Sequence, residues 1–468
     1  MKTERKERVL IKAVPGDKFT PYSLARKLGA RALLESSSFA KGKERFSVLL
    51  VEEAFRLQQL DRDIFFVREG KSKRIKSGAR DILDVLNYFA DQHKSLGLEL
   101  PFPAGGIGFL SYEFARFCDD IKFLPKTPDM EIPDACFLFG NLYVIFDHYT
   151  DILYLVALDY EEAPADLEKL IADTEKRLGN LDFTYLEEPE KGYASEVADS
   201  EEERKGYMDG VRKVRERIIA GDILQGVLSR RVTLRTTIPP LEAYRHLRTS
   251  NPSPYLFFLD FDDYAIFGSS PEVHVKVKDG YAEIHPIAGT RRRGKTEEDD
   301  RRLKEELKAD EKERAEHLML VDLARNDLGR VCEPGTIKVT SFMEVERYSH
   351  VMHLVSRVRG KLGDRSSAQV IRATFPAGTV SGAPKLKAME IIDSLEPLPR
   401  GFYAGLVGYF EPGGQMDTCI TIRAALQRGE TITLQAGAGI VYDSTPEREY
   451  EETGEKLGAL LSAIEAQI

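Results

Sequence analysis

Carboxylates recur in this sequence at a spacing that suits cation binding. Residues 447–456, EREYEETGEK, hold five glutamates in ten positions. Successive residues of a helix turn by about 100°. Glu449 and Glu452 therefore share a face, and Lys456 lies one turn further along it, whereas Glu447 and Glu451 sit elsewhere on the wheel. The same E-x-x-E spacing returns at Glu313 and Glu316, just ahead of the apolar run HLMLVDL. Carboxylates carried into apolar surroundings need a partner. Two pairs from two helices suit a hard cation such as Mg²⁺, which keeps several waters and takes few protein oxygens. The alternative is two solvated faces laced by salt bridges.

Other residues have chemistry to offer. QAGAGIV (435–441) and FPAGTVSGAPK (375–385) are small-residue stretches that either expose backbone N–H groups to an anion or make tight turns. Arg423 sits in TIRAAL, an apolar strand context, where a buried guanidinium needs a carboxylate from protein or ligand. His353 has apolar neighbours in SHVMHLVS; it is a core histidine unless it lines a pocket, where it would titrate near neutral pH. Glu272, in GSSPEVHV, is either a strand-edge carboxylate or a general acid whose pKa burial raises.

The elements that must position these groups are legible in outline. CFLFGNLYVIFDHYTDILYLVAL (136–158) reads as strands around a polar turn, and 164–178 as a helix. Residues 187–203 are polar and nearly free of large apolar groups, which marks a linker. Ser200 and Glu203 form a capping box that opens a helix with Tyr207, Val211, Val214 and Ile218 on its apolar face. YLFFLDF and YAIFGSS read as strands. Residues 297–330 have helical patterning around Leu303, Leu307, Leu318 and Leu323. GFYAGLVGYF, DTCITIRAAL and TITLQAGAGIVY read as three strands, and a helix from about Pro446 closes the chain. Strands and helices mix without a βαβ rhythm, so the class is α+β.

Composition narrows the function. The 468 residues are 42% hydrophobic, and the net charge is −10 with both signs interleaved, which argues against bulk binding to nucleic acid or an anionic membrane. The N-terminus lacks an apolar signal-peptide core and no run is long enough to span a bilayer. Four scattered cysteines, Cys118, Cys136, Cys332 and Cys419, read as reduced thiols of a cytoplasmic protein, and tryptophan is absent.

Taken in order, LQGVLSRR, SSPE, PIAGTRRRG, AEHLMLVDLARND, SHVMHLVS, FPAGTVSGAPK, TIRAAL, QAGAGIV and STPEREYEETGEK resemble the chorismate-utilising enzymes. These are anthranilate synthase component I, aminodeoxychorismate synthase component I, isochorismate synthase and salicylate synthase. The match covers about residues 200–468, which makes 200–468 the chorismate-binding catalytic domain and 1–190 an N-terminal regulatory region intertwined with it. The resemblance implies a large two-sheet β-sandwich flanked by helices, with chorismate and Mg²⁺ in a cleft. It assigns Glu316, Glu449 and Glu452 to the metal, with Glu313 close by. Glu272 matches the acid that helps the C4 hydroxyl leave. His353 and Thr379 match residues near the ring carboxylate and the elimination step. The substrate set carried over is Gln225, Ala288, Gly289, Thr290, Tyr403, Arg423, the Gly437, Ala438 and Gly439 amides, and Lys456.

Two positions sort the members. Isochorismate and salicylate synthases are similar here but place a lysine, the base for water, where this chain has Gln225. Many aminodeoxychorismate synthases read PIKGT where this chain has Ala288, as anthranilate synthases do. The favoured reading is amination of chorismate to anthranilate with loss of pyruvate; formation of aminodeoxychorismate is the alternative. The chain lacks the cysteine elbow of a glutamine amidotransferase, so the resemblance implies a separate glutaminase subunit that supplies ammonia. LLESSS (33–38) and NPSPYLFFLDF (251–261) resemble the tryptophan-binding feedback elements of anthranilate synthase. Glu35 and Ser36 would receive the ammonium of L-tryptophan, Arg45 its carboxylate, and Pro254 and Tyr255 would cover its ring.

Overall fold

The computed structural model describes residues 8–38, 42–43, 45–76, 78–94, 99–180, 195–198, 201–347 and 351–465. Two long antiparallel strands, Phe46–Leu60 and Ala135–Asp147, organise it. They are rich in β-branched and aromatic residues, which suit a pleated, buried surface. Their pairing runs from Phe46 opposite Asp147 to Gln59 opposite Ala135, with register shifts between Leu50 and Phe55. Such irregularities bend a strand. Each end of the bent pair leads into its own arm of strands.

From one end the ladder passes through Ala32–Glu35, Tyr255–Asp260, Ala265–Ser270, Ala424–Arg428, Thr431–Ile440 and Gln225–Thr236. From the other it passes through Ile107–Leu110, Leu406–Phe410, Met416–Ile420, Val273–Lys278, Tyr281–Ile284 and Val351–Lys361. The arms face each other. Phe109 meets Phe261 edge-on at 5.4 Å, and Phe257, Ile266, Val275 and Leu406 share that core. Alternation sends Phe258, Phe267 and Leu434 to the opposite face, where Tyr244, Leu457 and Leu460 of two helices cover them. The class is α+β with two flanked layers, as expected, but the layers are arms of one continuous ladder, of 22 strands among the described residues. Early segments pair with late ones throughout: Leu33 lies opposite Phe258, and Leu110 opposite Leu406.

The expected elements are present with three differences. Residues 297–330 form two helices, Glu297–Ala309 and Glu311–Gly329, because Asp310 caps the second through Lys312 N and Glu313 N at 3.1 Å. Leu307 is buried, but Leu318 lies exposed on the outer side of that second helix. The polar stretch 187–203 is not simply a linker. Ser195–Ala198 is a strand paired with Thr233–Thr236, and the helix Glu201–Ile219 begins directly after it. Ser200 and the rest of 187–200 lie outside the described residues. DTCITIRAAL is two strands rather than one, Met416–Ile420 and Ala424–Arg428, with Arg423 at the break. The four cysteines are buried free thiols, and no described helix is long and apolar enough to cross a membrane.

Phe109 is fully buried where the arms meet. Phe109→Ala is expected to lower the free energy of unfolding in urea by about 3–5 kcal/mol, the usual result of emptying a rigid aromatic site. A loss below ~1 kcal/mol would mean that the arms do not close on this ring.

Candidate active site

The closing helix Pro446–Glu465 carries the first carboxylate pair. Glu449 is buried, and its Oε2 has no hydrogen-bond partner. Glu452 is half-buried and bound to Lys456 Nζ at 2.8 Å. Glu447 and Glu451 face solvent, with side chains 61% and 66% exposed. Arg230 fixes the helix by donating from Nε to Thr453 Oγ1 at 2.9 Å. The helix Glu311–Gly329 brings the second pair. Glu313 meets Arg291 at 3.2 Å, and Glu316 is half-buried like it.

Glu316 senses the other pair through Glu452. Burial, then Glu313 and Glu452, hold the Glu316 carboxyl above its usual range, while burial and Glu452 do the same to Glu449. Among the described residues, no three acidic, histidine or cysteine side chains converge as a ready metal shell. Yet all the donors are carboxylate oxygens, one is an orphan, and two are kept proton-hungry by crowding. That chemistry fits a hard divalent cation that retains waters.

Glu272 stands between the strands Ala265–Ser270 and Val273–Lys278, and Ile420 N donates to its carbonyl at 3.0 Å. Burial pushes its carboxyl up to about 7, against the Thr379 hydroxyl and the Lys456 ammonium, which oppose the shift. Thr379 rides on the single turn Gly378–Val380. That turn lies directly on the helix that carries Glu313 and Glu316, since a Cβ on Gly378 would fall 1.8 Å from Leu323 Cδ2. Lys385 pins the loop's base, donating to Asp327 at 2.8 and 2.9 Å and to Thr374 O at 3.0 Å.

Arg423 occupies the break between strands in the left-handed region, at φ 51°. A non-glycine residue there is strained, and such strain collects at functional sites. Burial lowers its guanidinium pKa; Tyr403 and Glu452 lie close enough to offset part of that. Among the described residues it makes no ion pair. His353 Nδ1 donates to Gly289 O at 3.0 Å, and burial, with Arg423 adding to it, pushes the ring down to about 4. At neutral pH this imidazole is uncharged, with its proton on Nδ1 and a lone pair on Nε2.

The Gly437–Gly439 stretch works by alternation. Lys456 Nζ donates to Gly437 O at 2.8 Å, so Gly437 turns its polar groups away from the Gln225–Thr236 strand. Gly439 follows by the two-residue period, whereas the Ala438 amide points back into the ladder, opposite Leu228. The Ala438 methyl packs with Tyr207 and Val211 behind the sheet. Side chains are barred at both glycines: a Cβ would lie 2.8 Å from Tyr403 Oη at 437 and 2.6 Å from Gln225 Nε2 at 439. Gly289, at φ 65°, lets Glu313 approach to 3.1 Å of the same kind of phantom Cβ. Ala288 is buried opposite Leu354, and Thr290 pairs through its backbone with His353, its side chain lying outside the described residues.

Glu272, Thr379, Lys456, Gly437, Tyr403, Arg423 and the carboxylate pairs are thus linked by hydrogen bonds and by charge into one cluster, the candidate cleft. The chain matches the chorismate-binding enzyme family over residues 43–462. It is 56% identical to anthranilate synthase component 1 of Spirochaeta aurantia, over 98% of this chain and 96% of that protein. The chain belongs to the anthranilate synthase component 1 family. The Aquifex aeolicus member is 43% identical, over 96% of this chain and 93% of that protein. The crystal structure of anthranilate synthase component I from Streptococcus pneumoniae superposes with a TM-score of 0.79 at 37% identity, covering 89% of this chain and 92% of that one.

Away from the cleft, this family member has a cavity of about 560 Å³ that Glu35, Ser36, Arg45, Pro254 and Tyr255 all line. Glu35 enters it already paired, accepting from Arg248 at 2.7 and 2.9 Å and from Tyr244 at 2.6 Å. Arg45 is held by Asp147 at 3.0 Å. Ser36 Oγ is buried without a partner. Sequence reasoning missed Asp417, which faces the same cavity and accepts from Tyr255 Oη at 2.8 Å and from Lys276 at 2.9 Å. An aspartate beside "TCITIR" gives no sequence signal for that role.

Because its folded pKa is raised, ionised Glu449 weakens the fold. That penalty is absent in acid and grows as pH rises through the folded pKa. In metal-free buffer at pH 8, Glu449→Gln is expected to raise Tm by roughly 1–3 °C while Glu451→Gln leaves it unchanged. At pH 4 the Glu449→Gln gain should shrink. Equal shifts from both variants would sink the division into inward and outward carboxylates.

Proposed function

We propose that this protein is component I of an anthranilate synthase, aminating chorismate with ammonia from a glutaminase subunit and releasing anthranilate and pyruvate. The observation that carries this reading is Glu272. Burial pushes its carboxyl up to about 7, and Arg423 and Lys456, close by, would receive a substrate's carboxylates. Hydroxide leaves poorly at neutral pH, and a buried acid that still holds its proton is what the C4 hydroxyl requires. Arg423, Lys456 and the outward N–H of Gly439 would orient the dianion, with the Gly437 N–H held by Tyr403. Gln225, beside Gly439, carries no charge and offers no base to water, which favours ammonia as the nucleophile at C2. The neutral His353 ring suits acceptance of a proton when the second step aromatises the ring.

Glu316, Glu449 and Glu452, with Glu313 beside them, would hold Mg²⁺, which when bound clamps and polarises the ring carboxylate. The order of events among the chain's own groups follows from charge. The carboxylate pairs repel a substrate carboxylate, and Arg423 and Lys456 are the cations that offset this repulsion at close range.

The deciding assay incubates the pure protein with chorismate, Mg²⁺ and ammonium and reads anthranilate fluorescence. A product aminated at C4, separated by chromatography, would replace this reading with aminodeoxychorismate synthesis. Within that assay kcat/KM should fall on the alkaline side with a midpoint near the free Glu272 value of about 7, since deprotonation removes the acid. Glu272→Gln should lower kcat by ~10²-fold or more with chorismate still bound. Unchanged kcat rejects the assignment.

The 560 Å³ cavity supports a regulatory reading in which L-tryptophan inhibits. Ser36 Oγ, next to the Glu35 carboxylate, would receive its ammonium, Arg45 would attract its carboxylate, and Pro254 and Tyr255 would cover the indole. Ser36→Phe should relieve inhibition with little loss of uninhibited activity. If millimolar tryptophan neither inhibits nor shifts Tm, the regulatory reading fails.

A further inference from the structure

Beside the cleft residues lies a buried ion pair that none of the steps above uses. Arg400 is 1% exposed and Glu396 8%. Arg400 Nε donates to Glu396 Oε2 at 2.8 Å and Nη2 to Oε1 at 2.7 Å. Its remaining donors serve two carbonyls, Val380 O at 2.7 Å and Val227 O at 2.6 Å. Glu396 in turn accepts from Ser229 N at 2.8 Å and Ser229 Oγ at 2.7 Å. The guanidinium lies 5.7 Å from the Tyr403 ring centroid.

Every one of these partners adjoins a cleft residue. Val380 follows Thr379. Val227 lies opposite Gly439, and Ser229 opposite Gly437. Tyr403 is itself in the cleft, three residues from Arg400. The backbone at Arg400 is anchored from the N-terminal half, where Glu113 accepts from Arg400 N at 2.7 Å and Gly401 N at 3.0 Å. A buried ion pair is weak evidence of stabilisation, because well-packed apolar groups often do as well. The fork geometry of a guanidinium, however, fixes several acceptors in one plane, which an ammonium cannot do.

We propose that Arg400 is a positioning residue of the reaction. Through its fork it sets the Thr379 turn, the Gly437–Gly439 amides and Tyr403 in one frame, and Glu396 locks the fork. The inference rests on the proposed anthranilate synthesis, so the parent protein is assayed alongside. Arg400→Lys keeps the charge and loses the fork. Glu396→Gln keeps the shape and loses the charge.

Both variants, checked for folding by circular dichroism and Tm, are expected to lose about 10- to 100-fold in kcat, the scale of an ångström-sized misplacement. KM for chorismate should stay within about threefold, because Arg423 and Lys456 remain. If Arg400→Lys does not fold, Glu396→Gln decides. A folded variant with kcat within twofold of the parent overturns the positioning role, as does a loss confined to KM. A parent that makes no anthranilate overturns the functional reading itself, and the positioning role with it.

Discussion

Carboxylates crowded into a half-buried cleft repel one another, and the arrangement of this protein answers that repulsion. Glu313, Glu316, Glu449 and Glu452 come from helices far apart in sequence, and after burial it is neighbouring carboxylates, Glu313 and Glu452 for Glu316 and Glu452 for Glu449, that raise proton affinity. Left to itself such a group of charges would push its helices apart. They are kept in place by contacts that do not involve the carboxylates: Arg230 on Thr453, Asp310 capping the helix that carries Glu316, and Gly378 seated on Leu323. Lys456 is a cation placed among them, as Arg291 is beside Glu313, and it is shared between Glu452 and the Gly437 carbonyl. The rigidity of the ladder beneath makes this sustainable. A sheet whose strands are buried on both faces resists the small displacements that would relax the repulsion.

Charge also explains how the titrating groups divide their work. Glu272 and His353 are both buried, and burial moves each toward its neutral form: the acid keeps its proton, the base stays without one. Neither needs an opposite charge beside it. The permanently charged groups, Arg423 and Lys456, are the ones left to meet a charged ligand. Arg423 sits on a left-handed backbone at the break between two strands.

Much of this was legible beforehand. The i, i+3 spacing separated Glu449 and Glu452 from Glu447 and Glu451, because helix geometry alone decides which residues share a face. The order of short motifs identified the family. What local pattern could not supply was tertiary. TIRAAL is a good strand sequence, and nothing in it announces that Arg423 interrupts the strand. Gly437 to Gly439 read as three equivalent amides until a partner strand claimed the middle one. Leu318 sits in an apolar run yet faces outward, since the helix amphipathicity there is weak. Glu35 was read as open to a ligand, but Arg248 and Tyr244, over 200 residues away in sequence, already occupy it. Arg400, in the loop-like EPLPRG, carries no sign of being among the most buried side chains of the molecule.

The strand Met416–Ile420 lines the 560 Å³ cavity with Asp417 and Cys419 and then, at its end, donates from Ile420 N to the carbonyl of Glu272. The cavity and the cleft therefore have a structural member in common, and thermodynamic linkage makes any traffic along it two-way. By whatever factor an occupant of the cavity weakens the hold on chorismate, chorismate must weaken the hold on that occupant. Under the proposed regulation, an inhibitor's apparent potency would then be a property of substrate supply as much as of the cavity. A cell rich in chorismate would meet the same protein as a less sensitive sensor.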